Sequence, residues 1–450
     1  MEKGIIRSLR EYLDLLKREN LLISIRDKVK KEALPEIIQR LSRTGKALLF
    51  ESLDGYDCRV VANLVPSQKV FNLLFPGEND PYSAFVERSS GILKKTFVQE
   101  RGDYISINVT ENDDVLTTIP ILKHYESDSA PYITTAIVSS YDPETKVVGR
   151  GIHRMEYRGK NRFGISLVNP PLADIKEKYK LENKKMPVSV SIGVDPLTFM
   201  AMALKIPNNV DKIEVAGSLR GESIAVIRSF DSDIDVPYGT EFILEGVIHL
   251  EEEEKDGPLG EISGYYMTIE RTPTVHINRI SYRKDPIYHA LLPTSLEADM
   301  YLTFVSKAHM EGNVKRLFPF VHEIVFLERT FGSSIVITTS PTERKRINNL
   351  LHFVLSFPMI KKAVIVDSDV DPYDLQEIEW AIVTRCFAKD DLILLFSMQG
   401  QPIDPEAKIM GGVTKIGINA TTYGKEMEGR AVVKKGEKEL VESIVKKYGS

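Results

Sequence analysis

Between residues 132 and 283 five β-branched runs follow one another, YITTAIV, VSVSI, SIAVIRS, EFILEGVIHL and TVHINRISY, separated by Gly, Pro and Asp turns. Strand-forming residues at this density bury well in a sheet, so the middle third is expected to be mostly β, with a barrel as one arrangement. The flanks obey another period. Leu9, Tyr12, Leu13 and Leu16 recur at helical spacing, LLISI follows as a strand, Pro35 sits as the first residue of a helix over 34–42, and ALLF (Ala47–Phe50) reads as the next strand. After about residue 320, HEIVFLE, SSIVITT, KAVIVDSD and LILLF are short buried strands, with helical segments over 342–357 and 374–385 between them. The chain therefore reads as a multidomain α/β protein, with an N-terminal α/β domain over 1–115, a central β-rich domain over 116–310 and a C-terminal α/β domain over 311–450. The segment 434–448 sets Leu440, Val441, Ile444 and Val445 on one helical face, which this chain or a partner subunit must cover.

Composition removes several classes. A length of 450 residues accommodates roughly two to four domains, and 42% hydrophobic with 27% charged residues excludes bulk disorder. A net charge of −5 gives no global attraction for nucleic acid, so any anion site must be local. Cys58 and Cys386 lie far apart and form no CxxC, which argues against structural zinc and a secreted disulfide framework and for a reducing, cytoplasmic setting. The N-terminus lacks the apolar core of a signal peptide, and the most apolar stretch, 350–360, is broken by His352, Ser356 and Pro358. No membrane span is expected.

The eight histidines form no HExxH, which removes zinc hydrolysis of that type. Gly149-Arg150-Gly151 begins like a phosphate turn but lacks a third glycine, and reads more simply as a glycine turn. More informative is Asp256-Gly257-Pro258-Leu259-Gly260-Glu261. Two glycines and a proline between two carboxylates make a tight loop that can aim both acids at one point, where close approach raises one pKa and creates a proton donor. The bland alternative is a β-turn with solvated acids. In Gly411-Gly412-Val413-Thr414-Lys415-Ile416-Gly417, a lysine flanked by glycines lets backbone and ammonium approach an anion together, or forms a surface hairpin.

Taken in order, SLREYLDLLKRENLLISI, GKALLFESLDGY, PYITTAIV, IEVAGSLRGESIAV, LEG, DGPLGEISGYY, VDSDVDPYDLQEIEWAIVTR and GGVTKIGINAT resemble the UbiD family of reversible decarboxylases, which use prenylated FMN. The resemblance implies an N-terminal α/β domain, a central split β-barrel of the flavin-reductase type that holds the flavin, and a C-terminal α/β domain that helps form a homodimer or higher oligomer. It implies a catalytic trio at Arg154, Asp256 and Glu261. Arg154 would hold the substrate carboxylate, Glu261 would protonate the carbon after CO2 leaves, and Asp256 would orient Arg154 and tune Glu261. Flavin contacts fall on Thr135, on Gly151, Ile152, His153 and Met155, and on Lys415 at the phosphate. The implied activity is non-oxidative decarboxylation of an α,β-unsaturated or aromatic carboxylic acid, with a flavin prenyltransferase as cofactor supplier.

One departure stands out. Family members usually bind the flavin phosphate through a divalent metal held by Asn, His and Glu, but the matching positions here are Gly149, a residue within 169–171, and Lys212. No metal ligand is retained. In one reading Lys212, with Arg150, supplies the positive charge in place of the metal. In the other the chain is a divergent, non-catalytic paralogue with a different ligand. The family also includes archaeal decarboxylases of an anhydromevalonate phosphate, and a phosphorylated substrate would need extra basic residues at the site, for which Lys205 and Arg220 are candidates.

Overall fold

The computed structural model describes residues 5–100, 102–431, 433–434 and 437–448. Leu9, Tyr12, Leu13 and Leu16 are the buried face of α1 (Leu9–Arg18), which Ser8 caps by accepting the Glu11 N–H. Strand β1 (Leu22–Ile25) runs parallel to β2 (Ala47–Phe50), and β2 pairs antiparallel with β3 (Arg59–Ala62). Between β1 and β2 lies α2 (Leu34–Leu41), with Pro35 in its first turn as its spacing predicts. The fourth strand of this sheet, Ile287–His289, comes from far along the chain and lies parallel to β3.

The β-rich middle forms a nine-stranded sheet. Its members are β4 (Tyr104–Asn108), β5 (Tyr132–Ile133), β6 (Ile137–Tyr141), β7 (Val148–Ile152), β8 (Met155–Tyr157), β9 (Arg162–Ile165), β10 (Met186–Ile192), β11 (Phe242–Gly260) and β12 (Tyr266–Arg283). The spatial order is β5-β8-β9-β12-β11-β10-β6-β7, with β4 also on β12. Helices α3 (Leu172–Leu181) and α4 (Pro196–Ala203) pack on it, and α5 (Lys212–Arg220) packs on α4.

The two longest strands, β11 and β12, form one hairpin, and the register shifts between His249/Glu253, Glu254/Asp256 and Asp256/Leu259. This corrects the expectation of a tight loop at 256–261. Asp256 to Gly260 belong to a bulged strand, and the turn follows at Glu261, where the Glu261 N–H donates to the Tyr265 carbonyl. Bulges re-aim side chains without ending the ladder, and Gly257 is the residue that permits this one. Its φ is +103°, and a Cβ there would lie 2.6 Å from the Met267 carbonyl oxygen.

The last third forms a five-stranded sheet of β13 (Val321–Phe326), β14 (Ser334–Thr339), β15 (Lys362–Asp367), β16 (Leu392–Met398) and β17 (Val413–Ala420), in the order β13-β14-β15-β17-β16. The glycine-flanked lysine segment is thus interior strand β17, neither hairpin nor anion loop. Lys415 is fully buried and its ammonium donates to the carbonyls of Leu355 and Phe357, at the end of α7 (Arg344–Leu355). It serves the helix terminus, which corrects its assignment to a flavin phosphate.

Two apolar clusters each draw on the N-terminal and middle thirds, one uniting Phe50 and Val60 with Phe163, Val190 and Leu244, the other Leu9 and Phe71 with Ala216 and Phe304. A third is built wholly from residues from Met310 onward. Helix α6 (Leu296–Leu317) joins them, with Phe304 stacked on Phe71 at 3.7 Å between centroids and Met310 and Val314 in the C-terminal core. The fold is multidomain α/β. Helix α8 (Leu375–Arg385) matches the segment expected at 374–385, and α9 (Lys438–Tyr448) matches most of 434–448. On α9, Val441, Ile444 and Val445 are exposed, while the Leu440 side chain lies outside the described residues.

Candidate active site

Arg154 sits between β7 and β8, where the chain passes from one side of the sheet to the other. Its Nη2 donates to Asp256 Oδ1 at 2.5 Å and its Nη1 to Glu261 Oε1 at 2.6 Å. The three residues singled out in the sequence therefore meet, across more than one hundred positions of chain. The two acids differ in setting, since the Asp256 side chain is 0% exposed and that of Glu261 20%. Burial raises the pKa of Asp256, Arg154 opposes the rise, and Glu156 adds to it. Arg154 Nε and Asp256 Oδ2 are buried with no hydrogen-bond partner. Buried polar atoms left without a partner call for an explanation, of which a bound ligand is one.

Sequence reasoning missed the residues behind the trio. Glu156 is buried and accepts from the Tyr132 hydroxyl at 2.8 Å, from the Gly257 N–H at 3.1 Å and from Ser129. It lies two residues after Arg154, and the alternation of a strand is the one sequence signal for it. Asp128 accepts the N–H groups of His124 and Tyr125 on one oxygen and that of Gly260 on the other. The Tyr125 ring packs on Gly260 so closely that a Cβ there would be 2.3 Å from it. Backbone hydrogen bonds and a flat ring thus fix the strand that delivers both acids.

A second group is cationic. Lys212, the first residue of α5, is 6% exposed, and its ammonium donates to the Met202 carbonyl at 2.7 Å. Burial lowers its pKa to about 8. Burial also lowers His153 to about 4, with Lys212 adding to the effect, while Nδ1 of His153 donates to the Ser166 carbonyl at 2.7 Å. His309 of α6 is depressed by burial and then by Lys205 and Lys212, and its Nε2 accepts the Lys205 N–H. Lys212 and Lys205 thus put local positive charge beside two histidines whose pKa burial depresses, in a chain of net charge −5.

Arg150 is not part of that site, contrary to expectation. It is 1% exposed, its Nε donates to Asp211 Oδ1 at 2.8 Å, and its Nη1 donates to Ser139 Oγ and the Asp235 carbonyl. Although burial works against its charge, Arg150 and Lys95 hold Asp211 down to about 2. Arg150 is spent on that pair. Arg220 is likewise committed, its Nη2 donating to Asp195 Oδ2 at 2.6 Å.

Where a metal corner would stand, the chain is packed. A Cβ on Gly149 would lie 2.4 Å from Ile175 Cδ1 and 3.1 Å from Pro171 Cγ, and Asn169 is exposed. Among the described residues, the one group of three His, Cys, Asp or Glu side chains close enough to share an ion is His249, Glu252 and His276, none of them at these positions. Thr135 is buried and its Oγ1 donates to the His289 carbonyl. Gly151 pairs with Val138, Ile152 is half-buried and Met155 lies in the core.

A buried arginine shared by two carboxylates, with the buried cation Lys212 near His153 in a multidomain α/β fold, is an arrangement that can hold a carboxylate and move a proton, as a carboxylate-handling enzyme does. The sequence and its relatives say which. Residues 13–88, 98–296 and 300–420 match the N-terminal, Rift-related and C-terminal domains of 3-octaprenyl-4-hydroxybenzoate carboxy-lyase, and the chain belongs to this UbiD family of decarboxylases. It is 32% identical over 308 residues to the anhydromevalonate phosphate decarboxylase of Methanothermobacter thermautotrophicus, covering 68% of this chain and 73% of that one. It is 26% identical over 472 residues to the phenolic acid decarboxylase of Bacillus subtilis, covering 97% and 99%. It is also similar to an evolved dimeric form of the UbiD-class enzyme HmfF from Pelotomaculum thermopropionicum in complex with prFMN, with TM-score 0.85, 25% identity, and coverage of 95% and 97%.

Proposed function

We propose that this carboxy-lyase removes CO2, without oxidation, from an α,β-unsaturated or aromatic carboxylic acid with prenylated FMN as cofactor. The observation that carries the reading is the bridge of Arg154 to Asp256 and Glu261 at 2.5 and 2.6 Å. A chain that had left the chemistry would have no reason to keep a buried arginine between two acids, and this weighs against the non-catalytic alternative.

The residues fit the cofactor. The orphaned Arg154 Nε and Asp256 Oδ2 await a polar partner, and Lys212, which forms no ion pair with a carboxylate among the described residues, suits a flavin phosphate. Gly151, Ile152, His153, Met155 and Thr135 would line the ring system, and Lys212 would stand in for the divalent metal. When bound, prenylated FMN supplies the electron sink that decarboxylation requires. The chain's own part is positional and protic. Arg154 holds the carboxylate, and a protonated Glu261 competes with it less for Nη1. As the C–C bond breaks, its electron pair stays on the substrate carbon and CO2 departs. Glu261 then gives its proton to that carbon and regains one from solvent through its exposed edge. Asp256 keeps Arg154 in place from the buried side.

We further read the chain as domains 1–115, 116–310 and 311–450, the middle one a split β-barrel, assembled as a homo-oligomer and supplied by a flavin prenyltransferase. The separate core from Met310 onward supports the last boundary. Among the described residues no helix is long and apolar enough to cross a membrane, and a cytoplasmic site of action agrees with the reduced cysteines. The test is co-expression with a flavin prenyltransferase. The purified protein should carry prenylated flavin without a stoichiometric divalent ion and should exchange deuterium into the product carbon, and Glu261→Gln should abolish the exchange.

A further inference from the structure

Upstream of Asp256, the long hairpin of β11 and β12 brings His249, Glu252 and His276 together. Val247 pairs with His276 and His249 with Thr274, so the two histidines are diagonal neighbours on one face of the sheet. Their rings lie 4.3 Å apart between centroids. In an unbroken strand Glu252 would not join them, because residues three apart point to opposite faces. Here the ladder passes from His249/Thr274 directly to Glu253/Pro273 and leaves residues 250–252 without partners. That bulge turns Glu252 back, and its Oε2 comes within 2.8 Å of His276 Nε2.

Each of the three side chains offers one ligand atom, and these atoms all lie within 4.8 Å of one another. Tetrahedral zinc, with bonds of about 2.0–2.2 Å to nitrogen and oxygen, sets its ligand atoms about 3.3 Å apart. Small side-chain rotations therefore close the set. The side chains are 20%, 33% and 28% exposed in chain order, and both histidines line a cavity of about 350 Å³, so an ion and its water can enter from solvent. Arg162 of β9 donates from Nη1 to Glu252 Oε1 at 3.2 Å. It orients the carboxylate and leaves Oε2 turned to the histidines, as a supporting partner of a metal ligand does. Glu111 in the cavity wall and Glu251, 3.5 Å from His249 Nδ1, set negative charge against that of Lys185 and Arg162. The hydrogen bond between His276 and Glu252 accounts for one pair and leaves unexplained why His249 is set beside it.

We propose that His249, His276 and Glu252 bind one Zn2+, with water in the fourth position, and that the ion staples the bulge from which β11 runs on to Asp256. Two imidazoles and a carboxylate suit zinc, whereas magnesium and calcium prefer oxygen alone. On binding, His276 carries its proton on Nδ1 and Nε2 takes the metal. The ligands stand apart from positions 149, 169–171 and 212, and the site needs neither the flavin nor the decarboxylase reading. Their spacing forms no zinc motif in the sequence, since they meet only across the hairpin.

The test starts from full-length protein freed of metal by a chelator, the state in which flavin loading is also measured, and titrates it calorimetrically with zinc chloride at micromolar protein. The wild type should bind one equivalent, and His249→Gln and His276→Gln should each bind about a hundredfold more weakly or worse. Retained FMN shows that these variants fold. Glu252→Gln separates ligation from folding, because the amide still hydrogen-bonds His276 but is a poor zinc ligand. Zinc should raise the unfolding temperature of the wild type and leave that of Glu252→Gln unchanged. Cobalt(II) in place of zinc should give the visible absorption of a four-coordinate ion in the wild type alone. Amide hydrogen exchange across residues 250–256 should slow when zinc is added. Absence of zinc binding, or zinc retained in full by His249→Gln/His276→Gln, overturns the site. Zinc bound through these residues with exchange unaltered across 250–256 overturns the staple.

Discussion

Glu261 and Asp256 share one arginine but divide its duties by exposure. In the proposed reaction the acid with an edge to solvent is the one that could be reprotonated after each turnover, since the other is sealed. Glu261→Gln should therefore lower kcat by about 10²–10⁴-fold, the usual worth of a positioned proton donor, with flavin retention unchanged, as absorbance of the purified protein will show. Lys212 yields a separate prediction. Its pKa of about 8 lies below the ordinary lysine value of 10.5 because it is buried. Between those two values the unfolded chain binds the proton that the folded chain has released, so this group's contribution to stability rises with pH across that window. A bound phosphate acts oppositely, because it favours the charged form. FMN affinity should hold below pH 8 and fall by up to about tenfold per pH unit above it, while riboflavin, which lacks the phosphate, should show no such fall. Lys212→Gln should flatten the FMN profile, measured by fluorescence quenching, and persistence of the pH dependence in that variant would remove Lys212 from the phosphate site.

Whole elements are where sequence pattern spoke best and also where it misled. Helices α1, α2, α7 and α8 and strands β2 and β13 to β15 follow from periodicity, because each buries one face or one run against a core next to it in the chain. Strand β1 is only partly covered, and β16, expected to be buried, is an edge strand with Leu394 and Phe396 exposed. The acid segment does not follow so directly. Its glycines and proline describe a turn equally well, and only pairing with β12 makes it a bulged strand. Lys415 misled for a related reason, since glycines beside a lysine look the same in an anion loop and in a buried strand under a helix. The trio itself was legible through resemblance, whereas Glu156, Asp128 and Tyr125 were not, because their roles exist only across the sheet. At this scale Gly257→Ala should be costly. A methyl 2.6 Å from the Met267 carbonyl at φ +103° must displace the bulge, by about 2 kcal/mol or more. Denaturant unfolding should show the loss, and activity should fall with it because Asp256 precedes the bulge. Lys415→Met should also destabilise, by about 1–3 kcal/mol through two abandoned carbonyls, yet should leave FMN affinity untouched.

The molecule as a whole is uneven in how it treats apolar surface. The first three hundred residues interlock, with clusters shared between sheets and with Ile287–His289 returning to the N-terminal sheet. The C-terminal third keeps its own core and exposes much outside it. On β16, Ile393 and Leu395 pack inward while Leu394 and Phe396 are 45% and 69% exposed, and β16 is an edge of its sheet. An exposed, apolar edge strand pairs or aggregates unless covered, and a chain at working concentration cannot carry one uncovered. Val441, Ile444 and Val445 of α9 present a second uncovered stripe. A second copy of this chain is the cover that the proposed homo-oligomer would supply. The wild type should therefore sediment as a dimer or larger at micromolar concentration, and Leu394→Asp with Phe396→Asp should shift it toward monomer. FMN should remain bound in that variant, since the edge and the flavin recess belong to different cores. A monomeric wild type, or a double variant that keeps its assembly, would place the interface elsewhere and leave these side chains exposed for another reason.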